Sequence, residues 1–406
     1  MRSLLRVALR NVMRNRRRSL LTLSAVFLAV GVMVSVRGLL NGLHASIREG
    51  VIYGQMGALQ VHRKGFLKAV QASPLDLDLP ADDAFIARIT AVPGVTGAAP
   101  RINFGGMINA NDITVFALFF ALDPVREPGV CPRRKDAVAG GKLLDPALPD
   151  GADLSNELIK RIGAKAGDKV VLLTNDHEGV LNATEVSIIG NLSMSMPLPD
   201  KKIAYVPLAA AQQLLRMEGR ATEIAVAVDH LEHIEEIRTR LAAAVGPEYE
   251  VSTWHEVASF IDELVAMQNL FIGIILYTFL FIALLGIANA MLLNVLERTR
   301  EIGTMMAVGM RRRQILMLFL LEAALVGLVG GVGGAAVGGG IVGYYHSTGL
   351  SFTVPGSTAK IPITPFITAS YILFTFALAA GGAALSALYP AWMASRLRPI
   401  EALSRA

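Results

Sequence analysis

The chain has little charge and almost no cysteine. Only 17% of its 406 residues are Asp, Glu, Lys or Arg, whereas 53% are apolar. A single soluble domain of this length needs more charge, so part of the chain is expected to lie in lipid. Cys131 is the one cysteine, which excludes an intrachain disulfide, an all-cysteine zinc site and a CxxC redox motif.

Two motifs of nucleotide binding and metal catalysis are also missing. The one Gly-Lys pair, at 141–142, lacks the upstream glycine of a phosphate-binding loop and is followed by Leu143. His255 and Glu256 begin like the zinc-protease motif HExxH, but Ser259 stands where the second histidine belongs. The chain is therefore predicted to be neither an ATPase nor a metalloenzyme. A membrane enzyme such as a protease remains the rival from another class, although no catalytic constellation lies beside an apolar run.

Apolar runs long enough to cross a bilayer occur four times. A membrane span needs about 20 mainly apolar helical residues. The predicted transmembrane helices are residues 19–42, 269–296, 314–345 and 367–390. The first run exceeds the apolar core of a signal peptide, which has about 7–15 residues, so an uncleaved anchor is favoured over a leader.

The basic residues gather beside these runs, which predicts orientation and argues against nucleic-acid binding despite the net charge of +5. No acid precedes Glu49, and five arginines lie between the second and third runs. The predicted cytoplasmic segments are an amphipathic helix at 1–18, a loop at 297–313 and a tail at 391–406. The segments 43–268 and 346–366 are predicted to lie on the opposite side.

The long segment 43–268 is predicted to be a folded domain of mixed α and β structure. Its alternating runs predict strands at 58–61, 113–121, 169–173, 185–189 and 223–228. Amphipathic runs predict helices at 82–89, 154–162, 207–217 and 231–244, and Pro and Gly at 193–200 predict a flexible loop. The predicted fold class is an α-helical membrane protein with four transmembrane helices, plus a large mixed α/β extracytoplasmic domain between the first and second helices.

The loop between the second and third spans carries the most specific motif. Residues 297–310 read ERTREIGTMMAVGM, and 311–314 read RRRQ. This run resembles the ERxREIGxxxAxG…RRQ signature of the FtsX-like/MacB-type ABC transporter permease superfamily. Residues 9–18 (LRNVMRNRRR) and 57–65 (GALQVHRKG) resemble its lipoprotein-releasing (LolC/LolE-type) branch, and 389–403 (YPAWMASRLRPIEAL) resembles its closing motif.

This resemblance implies a non-catalytic permease subunit that works by mechanotransmission in the bacterial inner membrane. Its expected partners are two copies of a soluble ATPase, which would bind ATP and Mg²⁺, and a second permease subunit, taken to be an identical copy. No cofactor or metal is expected in this chain. The favoured cargo is a lipoprotein released from the outer leaflet. The alternatives are MacB-like export of peptides or drugs from the periplasm, or activation of a cell-wall hydrolase.

In the superfamily the loop at 297–313 forms a short coupling helix that sits in a groove of the ATPase. Its charged ends and apolar centre suit helix-in-groove docking. The predicted ATPase-coupling residues are Glu297, Arg298, Arg300, Glu301, Ile302, Met305, Met306 and Gly309. The family usually has arginine at the position of Met306.

A cargo cleft is predicted where the chain leaves and re-enters the membrane, because a lipidated cargo must pass there from bilayer to water. Its predicted lining is Val36, Arg37, Leu40, Met267, Leu270, Phe271 and Ile274. The simpler reading of Arg37 is a side chain that snorkels to headgroups.

Two further features lie in the third span. Glu322 is a carboxylate in lipid, so it is expected either to hydrogen-bond to a neighbouring helix or to take part in the conformational cycle. Small residues recur beyond it at Gly327, Gly331, Gly334 and Gly338, a spacing that lets helix backbones pack closely within or between subunits.

Overall fold

The structure is a computed structural model that describes residues 2–14, 16–69, 74–138, 143–192, 202–353 and 360–397. It divides into two compact units. We call Met1–His44, Leu264–Leu350 and Pro362–Ala406 the membrane unit. We call Ala45–Glu263 with Ser351–Ile361 the inserted domain. The predicted flexible loop at 193–200 and the end of the predicted tail lie outside the described residues.

The described residues form fourteen α-helices. In chain order these are α1 Arg2–Arg14, α2 Arg16–Val51, α3 Phe66–Ala69, α4 Asp83–Thr90, α5 Glu127–Val130, α6 Asn156–Ile162, α7 Leu208–Leu215, α8 Ile234–Val245, α9 Trp254–Val257, α10 Ser259–Glu297, α11 Thr299–Ala307, α12 Arg312–Thr348, α13 Ala369–Ser386 and α14 Leu388–Ser395. Within this described part, four helical stretches are long and apolar enough to cross a membrane: Ser19–Met56, Ser259–Glu297, Arg312–Thr348 and Ala369–Ser395. The four predicted spans are therefore confirmed.

Three spans differ clearly from the sequence prediction at their ends. Helix α10 begins at Ser259, well before the predicted start of the second span at residue 269. The first helix continues beyond residue 42 to Val51 and then through a π-helical turn, Ile52–Met56. The last span, predicted as one helix over residues 367–390, is divided: α13 ends at Ser386, and α14 begins at Leu388. Pro390 lacks an N–H for the carbonyl four residues earlier, so it interrupts the helix but fits the first turn of the next one.

Glycines hold the centre of the membrane unit together. A Cβ atom at Gly338 would lie 2.7 Å from the carbonyl oxygen of Gly31 in α2. One at Gly327 would lie 2.6 Å from the Cβ of Ala383 in α13. Helix α12 therefore presents glycines to two neighbours, and the predicted close packing is confirmed within the chain.

The described strands number thirteen. They are β1 Leu59–Arg63, β2 Leu79–Pro80, β3 Val95–Ala110, β4 Ile113–Leu122, β5 Gly151–Ser155, β6 Lys169–Asn175, β7 Leu181–Leu192, β8 Ile203–Pro207, β9 Arg220–Ala221, β10 Glu223–Val228, β11 Tyr249–Thr253, β12 Leu350–Thr353 and β13 Lys360–Ile363. All five predicted strands are present. Nine strands form one mixed sheet in the order β11-β1-β10-β3-β4-β8-β5-β7-β6.

Strand β3 divides this sheet into an open part and a closed part. Its first half pairs with β10, whereas its second half pairs with β4 on one side and with β6 on the other. Six strands, in the order β3-β4-β8-β5-β7-β6, therefore close into a ring through the pairing of β6 with β3. The β3–β4 hairpin turns at Asn111 and Asp112, which both have positive φ, as a two-residue turn of this kind requires.

A cluster of buried charges lies within the inserted domain, beside the π-helical turn Ile52–Met56. The Nε and Nη2 atoms of Arg101 donate to the Glu127 carboxylate at 2.9 and 2.6 Å. The Nε of Arg134 is an ion-pair partner of the same carboxylate at 2.9 Å. Arg101 also lies 3.4 Å from a carboxylate oxygen of Glu223. Both arginines donate to the carbonyl oxygen of Gln55, in the π-helical turn.

The cluster is buried, so each of its charges needs a partner to be stable away from water. The side chains of Arg101, Glu127, Arg134 and Glu223 are all buried. Burial raises the pKa of the Glu127 carboxyl, but the guanidinium groups of Arg101 and Arg134 outweigh it and hold that pKa below its usual value. We call these four side chains the buried charge cluster. Its two arginines donate to the Gln55 carbonyl oxygen at the end of the first long helix. Positive charge is favourable there because the carbonyl end of a helix carries partial negative charge.

Candidate functional site

The short helix α11 is attached to the membrane unit along one side. Ile302 is fully buried with Ile315 and Phe319 of α12 and Val295 of α10. Gly303 is also buried. A break in helical geometry at Arg298 separates α11 from α10. The sequence therefore folds here into a helix that is anchored through Ile302, and its other side is left exposed.

That exposed side presents an apolar surface. Val308 is 90% exposed, and Arg300 and Thr304 are also exposed. A shallow pocket of about 480 Å³ is lined by Thr304, Met305, Val308, Gly309 and Met310. We call this the α11 surface. Desolvation of such a protruding apolar side chain by a partner groove is a large source of docking free energy.

A chain of ion pairs runs from α1 through α11 to α12. Arg14 pairs with Glu301, and the Nε of Arg298 donates to Glu301 at 2.8 Å. The Nη1 of Arg298 lies 3.8 Å from Glu322 Oε2. The hydrogen bond from Arg298 holds the pKa of the Glu301 carboxyl below its usual value. Glu301 is thus engaged within the chain.

Glu322 lies inside the membrane unit beside a very small cavity. It is buried, and the cavity of about 10 Å³ is also lined by Ser19, Thr22 and Asn294. That volume is roughly what one water molecule needs. The surroundings of the Glu322 carboxylate are therefore not purely apolar, because they include an arginine and several polar side chains.

We expect Glu322→Gln to retain most of the ATPase stimulation in a reconstituted transporter, because an amide keeps a polar group beside the polar side chains that line this cavity. Glu322→Leu should lower stimulation by about tenfold, since it removes that polar group and also the ion-pair partner of Arg298. The measurement is the ATP hydrolysis rate of the partner ATPase with each variant. Equal loss in both variants would assign the role of Glu322 to its charge.

The two ends of the membrane unit differ. We call the end that carries α11 the inner end and the opposite end the outer end. At the outer end, Arg37 and Leu40 line a cavity of about 130 Å³ between α2, α10 and α13. Val36 packs beside Met33 and Leu276 in a neighbouring apolar cluster.

The other predicted cleft residues lie elsewhere. Met267, Leu270, Phe271 and Ile274 are exposed on α10, where their spacing places them on one helical face. The structure therefore divides the predicted cleft into an internal cavity on the α2 side and an exposed apolar face on α10.

Sequence reasoning missed several residues at both places. Thr304, Val308 and Met310 belong to the α11 surface, and Asn269, Tyr277 and Tyr371 line the outer cavity. For the residues of the outer cavity, the sequence did offer a signal: a polar residue or a tyrosine near the end of an apolar run. For the first group, the pattern alone does not tell which face of α11 is buried.

Four spanning helices, an inserted α/β domain and a short helix held between the second and third spans define a class of membrane permease. The sequence matches the MacB-like periplasmic core domain over residues 19–244. It matches the FtsX-like permease C-terminal family over residues 273–399. The first match covers more than half of the chain, so the chain belongs to this family of ABC transporter permeases, a family of multi-pass membrane proteins.

Two curated relatives and one solved structure are reported for comparison with this chain. The macrolide export ATP-binding/permease protein MacB of Hyphomonas neptunium is 31% identical over 207 residues, which are 50% of this chain and 30% of that protein. The lipoprotein-releasing system transmembrane protein LolC of Xylella fastidiosa (strain 9a5c) is 22% identical over 420 residues, covering 95% of this chain and 93% of LolC. Among solved structures, the periplasmic region of MacB from Actinobacillus actinomycetemcomitans aligns at a TM-score of 0.37 with 11% identity, over 53% of this chain and 95% of that one. The chain spans less than a third of the first of these relatives.

Proposed function

We propose that this chain is the permease subunit of a mechanotransmitting ABC transporter that releases lipoproteins from the outer leaflet of a bacterial inner membrane. Its termini and α11 lie in the cytoplasm, and the inserted domain lies in the periplasm. The partner assembly has two ATPase copies and a second copy of the permease. The arginines that flank the inner end of the spans support this orientation.

The α11 surface is the proposed contact with the ATPase. Its exposed apolar patch lies next to the ion-pair chain that reaches Glu322, so a push on α11 has a direct route into α12. No phosphate-binding loop occurs in the 406 residues. ATP and Mg²⁺ are therefore assigned to an ATPase outside them.

The observation that carries the lipoprotein proposal is the exposed apolar face at the outer end of α10. Leu270 and Phe271 are 62% and 58% exposed. Hydrocarbon-like side chains on this face can keep acyl chains out of water while the rest of a cargo enters the aqueous phase. The alignment with LolC over 93% of its length supports the same reading.

A site-specific photo-crosslinker at Phe271 is expected to capture a lipoprotein in the intact transporter. The matched control is Leu373 in α13, which is also apolar and is 66% exposed, and it should give no lipoprotein adduct. The adducts are identified by mass spectrometry. Crosslinks found only within residues 76–251 would contradict lipid extraction and indicate a soluble cargo.

MacB-like export of a soluble peptide or drug is the second candidate. The match to the MacB-like periplasmic core domain favours it. The crosslinking experiment separates the two candidates, because a soluble cargo has no need of the α10 face.

A further inference from the structure

The outer end of the membrane unit contains a cavity with a polar and an apolar wall. Its volume is about 130 Å³, whereas one water needs only about 10–15 Å³. The polar wall consists of Arg37, Asn269, Tyr277 and Tyr371. The remaining lining residues are Met33, Leu40, Ile272, Gly273 and Leu276. A chemical group of several non-hydrogen atoms fits, provided that it has both polar and apolar parts.

The guanidinium of Arg37 is positioned in this cavity with most of its donors unused. Its Nη1 donates to Asn269 Oδ1 at 3.0 Å, and its central carbon lies 5.7 Å from the centroid of the Tyr371 ring. Among the described residues, no other side-chain hydrogen bond to Arg37 is found. A guanidinium has five N–H donors, so donors remain for a ligand.

Among the residues that the structure describes, no carboxylate of the membrane unit pairs with Arg37. The described acidic residues of this unit are Glu297, Glu301 and Glu322, and they belong to its inner half. Arg298, at the inner end, pairs with two of these carboxylates. Arg37 has no such partner within the described residues. A cation that is partly buried among membrane helices is stabilised by an anion, and here that anion must come from outside the unit.

We propose that this cavity binds the phosphate of a membrane phospholipid and that Arg37 is the phosphate ligand. A guanidinium binds phosphate oxygens through two parallel hydrogen bonds. The tyrosines suit the headgroup level of a bilayer, and the apolar wall suits the first carbons of an acyl chain. This assignment does not depend on which cargo the transporter moves.

The test is native mass spectrometry of the purified, delipidated full-length permease titrated with phosphatidylglycerol. Arg37→Gln should bind this lipid about tenfold more weakly than the unaltered protein, and Arg37→Lys should lie between the two, because lysine keeps the positive charge but not the two parallel donors. Arg48→Gln is the matched control, because it removes the same charge from the same helix at an exposed position outside the cavity, and it should change nothing. Diacylglycerol with the same acyl chains should bind the unaltered protein about tenfold more weakly than phosphatidylglycerol.

Four results would overturn the proposal. Phosphatidylglycerol could bind Arg37→Gln as tightly as the unaltered protein, or Arg48→Gln could weaken binding equally, which would indicate attraction to general positive charge. Diacylglycerol that binds as tightly as phosphatidylglycerol would show that phosphate is not recognised. Displacement of the lipid by millimolar inorganic phosphate would identify a site for a free anion. If Arg37→Gln does not fold, the comparison of the two lipids on the unaltered protein decides the same point.

Discussion

Replacing Glu127 with leucine is expected to lower the free energy of unfolding of the inserted domain by about 3–5 kcal/mol. The reason is that Arg101 and Arg134 both depend on this carboxylate. Without it, two guanidinium groups remain buried with too few acceptors. The stability of Glu127→Gln should lie between that of the unaltered protein and that of Glu127→Leu, because its amide oxygen still accepts one hydrogen bond. The measurement is urea unfolding of the purified full-length chain, followed by proteolysis of the inserted domain.

The matched control is the exposed pair of Lys169 and Glu185. Their nitrogen and oxygen atoms are 2.6 Å apart, but both side chains are more than half exposed. Glu185→Gln should therefore destabilise the domain far less than Glu127→Leu, because an exposed ion pair contributes little. If Glu127→Leu is no more destabilising than this control, the buried charge cluster does not hold the domain together.

Val308→Asp is expected to abolish the ATPase stimulation that this permease gives to its partner. A charge at the most exposed apolar position of the α11 surface must be desolvated on docking, which costs more than the contact contributes. The measurements are co-purification with the ATPase and the rate of ATP hydrolysis. Substitution of Glu301 is a weaker test, because that side chain pairs with Arg14 and Arg298 and its loss would also disturb the permease itself.

Val125→Asp is the control for this variant. Val125 is 72% exposed in the inserted domain, so the same substitution there should leave stimulation unchanged. If a folded Val308→Asp permease still stimulates ATP hydrolysis normally, the α11 surface is not the contact with the ATPase.

Much of the membrane unit could be predicted from the sequence, because long uncharged runs have few alternatives in a lipid bilayer. The glycine spacing of α12 likewise indicated close helix packing. The extension of the first helix to Met56 was missed because Arg48 and Glu49 signal an aqueous environment, and such signals mark the end of a span without marking the end of a helix.

The inserted domain was harder to predict where tertiary contacts decide the local structure. Strand β3 contains Pro100, Gly105 and Gly106, which all weaken a strand prediction. A Cβ at Gly106 would lie 2.7 Å from the carbonyl oxygen of Leu173 in β6, so this glycine permits the ring of strands to close. The buried charge cluster was missed for a related reason: an isolated arginine or glutamate in a sequence normally indicates surface.

The candidate site was predicted as a segment but not as a surface. Ile302 and Met305 both fit an apolar contact in the sequence, yet Ile302 lies in the core of the membrane unit and Met305 borders the exposed pocket. A helix of nine residues is too short to show by periodicity which side faces the protein. Only the packing of α11 against its neighbours distinguishes them.

The chain of ion pairs at the inner end should respond unevenly to ionic strength. The Arg14 and Glu301 side chains are 60% and 45% exposed, whereas those of Arg298 and Glu322 are 11% and 5% exposed. Dissolved ions screen exposed pairs and scarcely reach buried ones. Raising the salt concentration therefore loosens the attachment of α1 to α11 while the attachment of α11 to α12 persists. The N-terminal helix is thus the salt-sensitive part of this end, and the link from α11 into the membrane is the salt-resistant part.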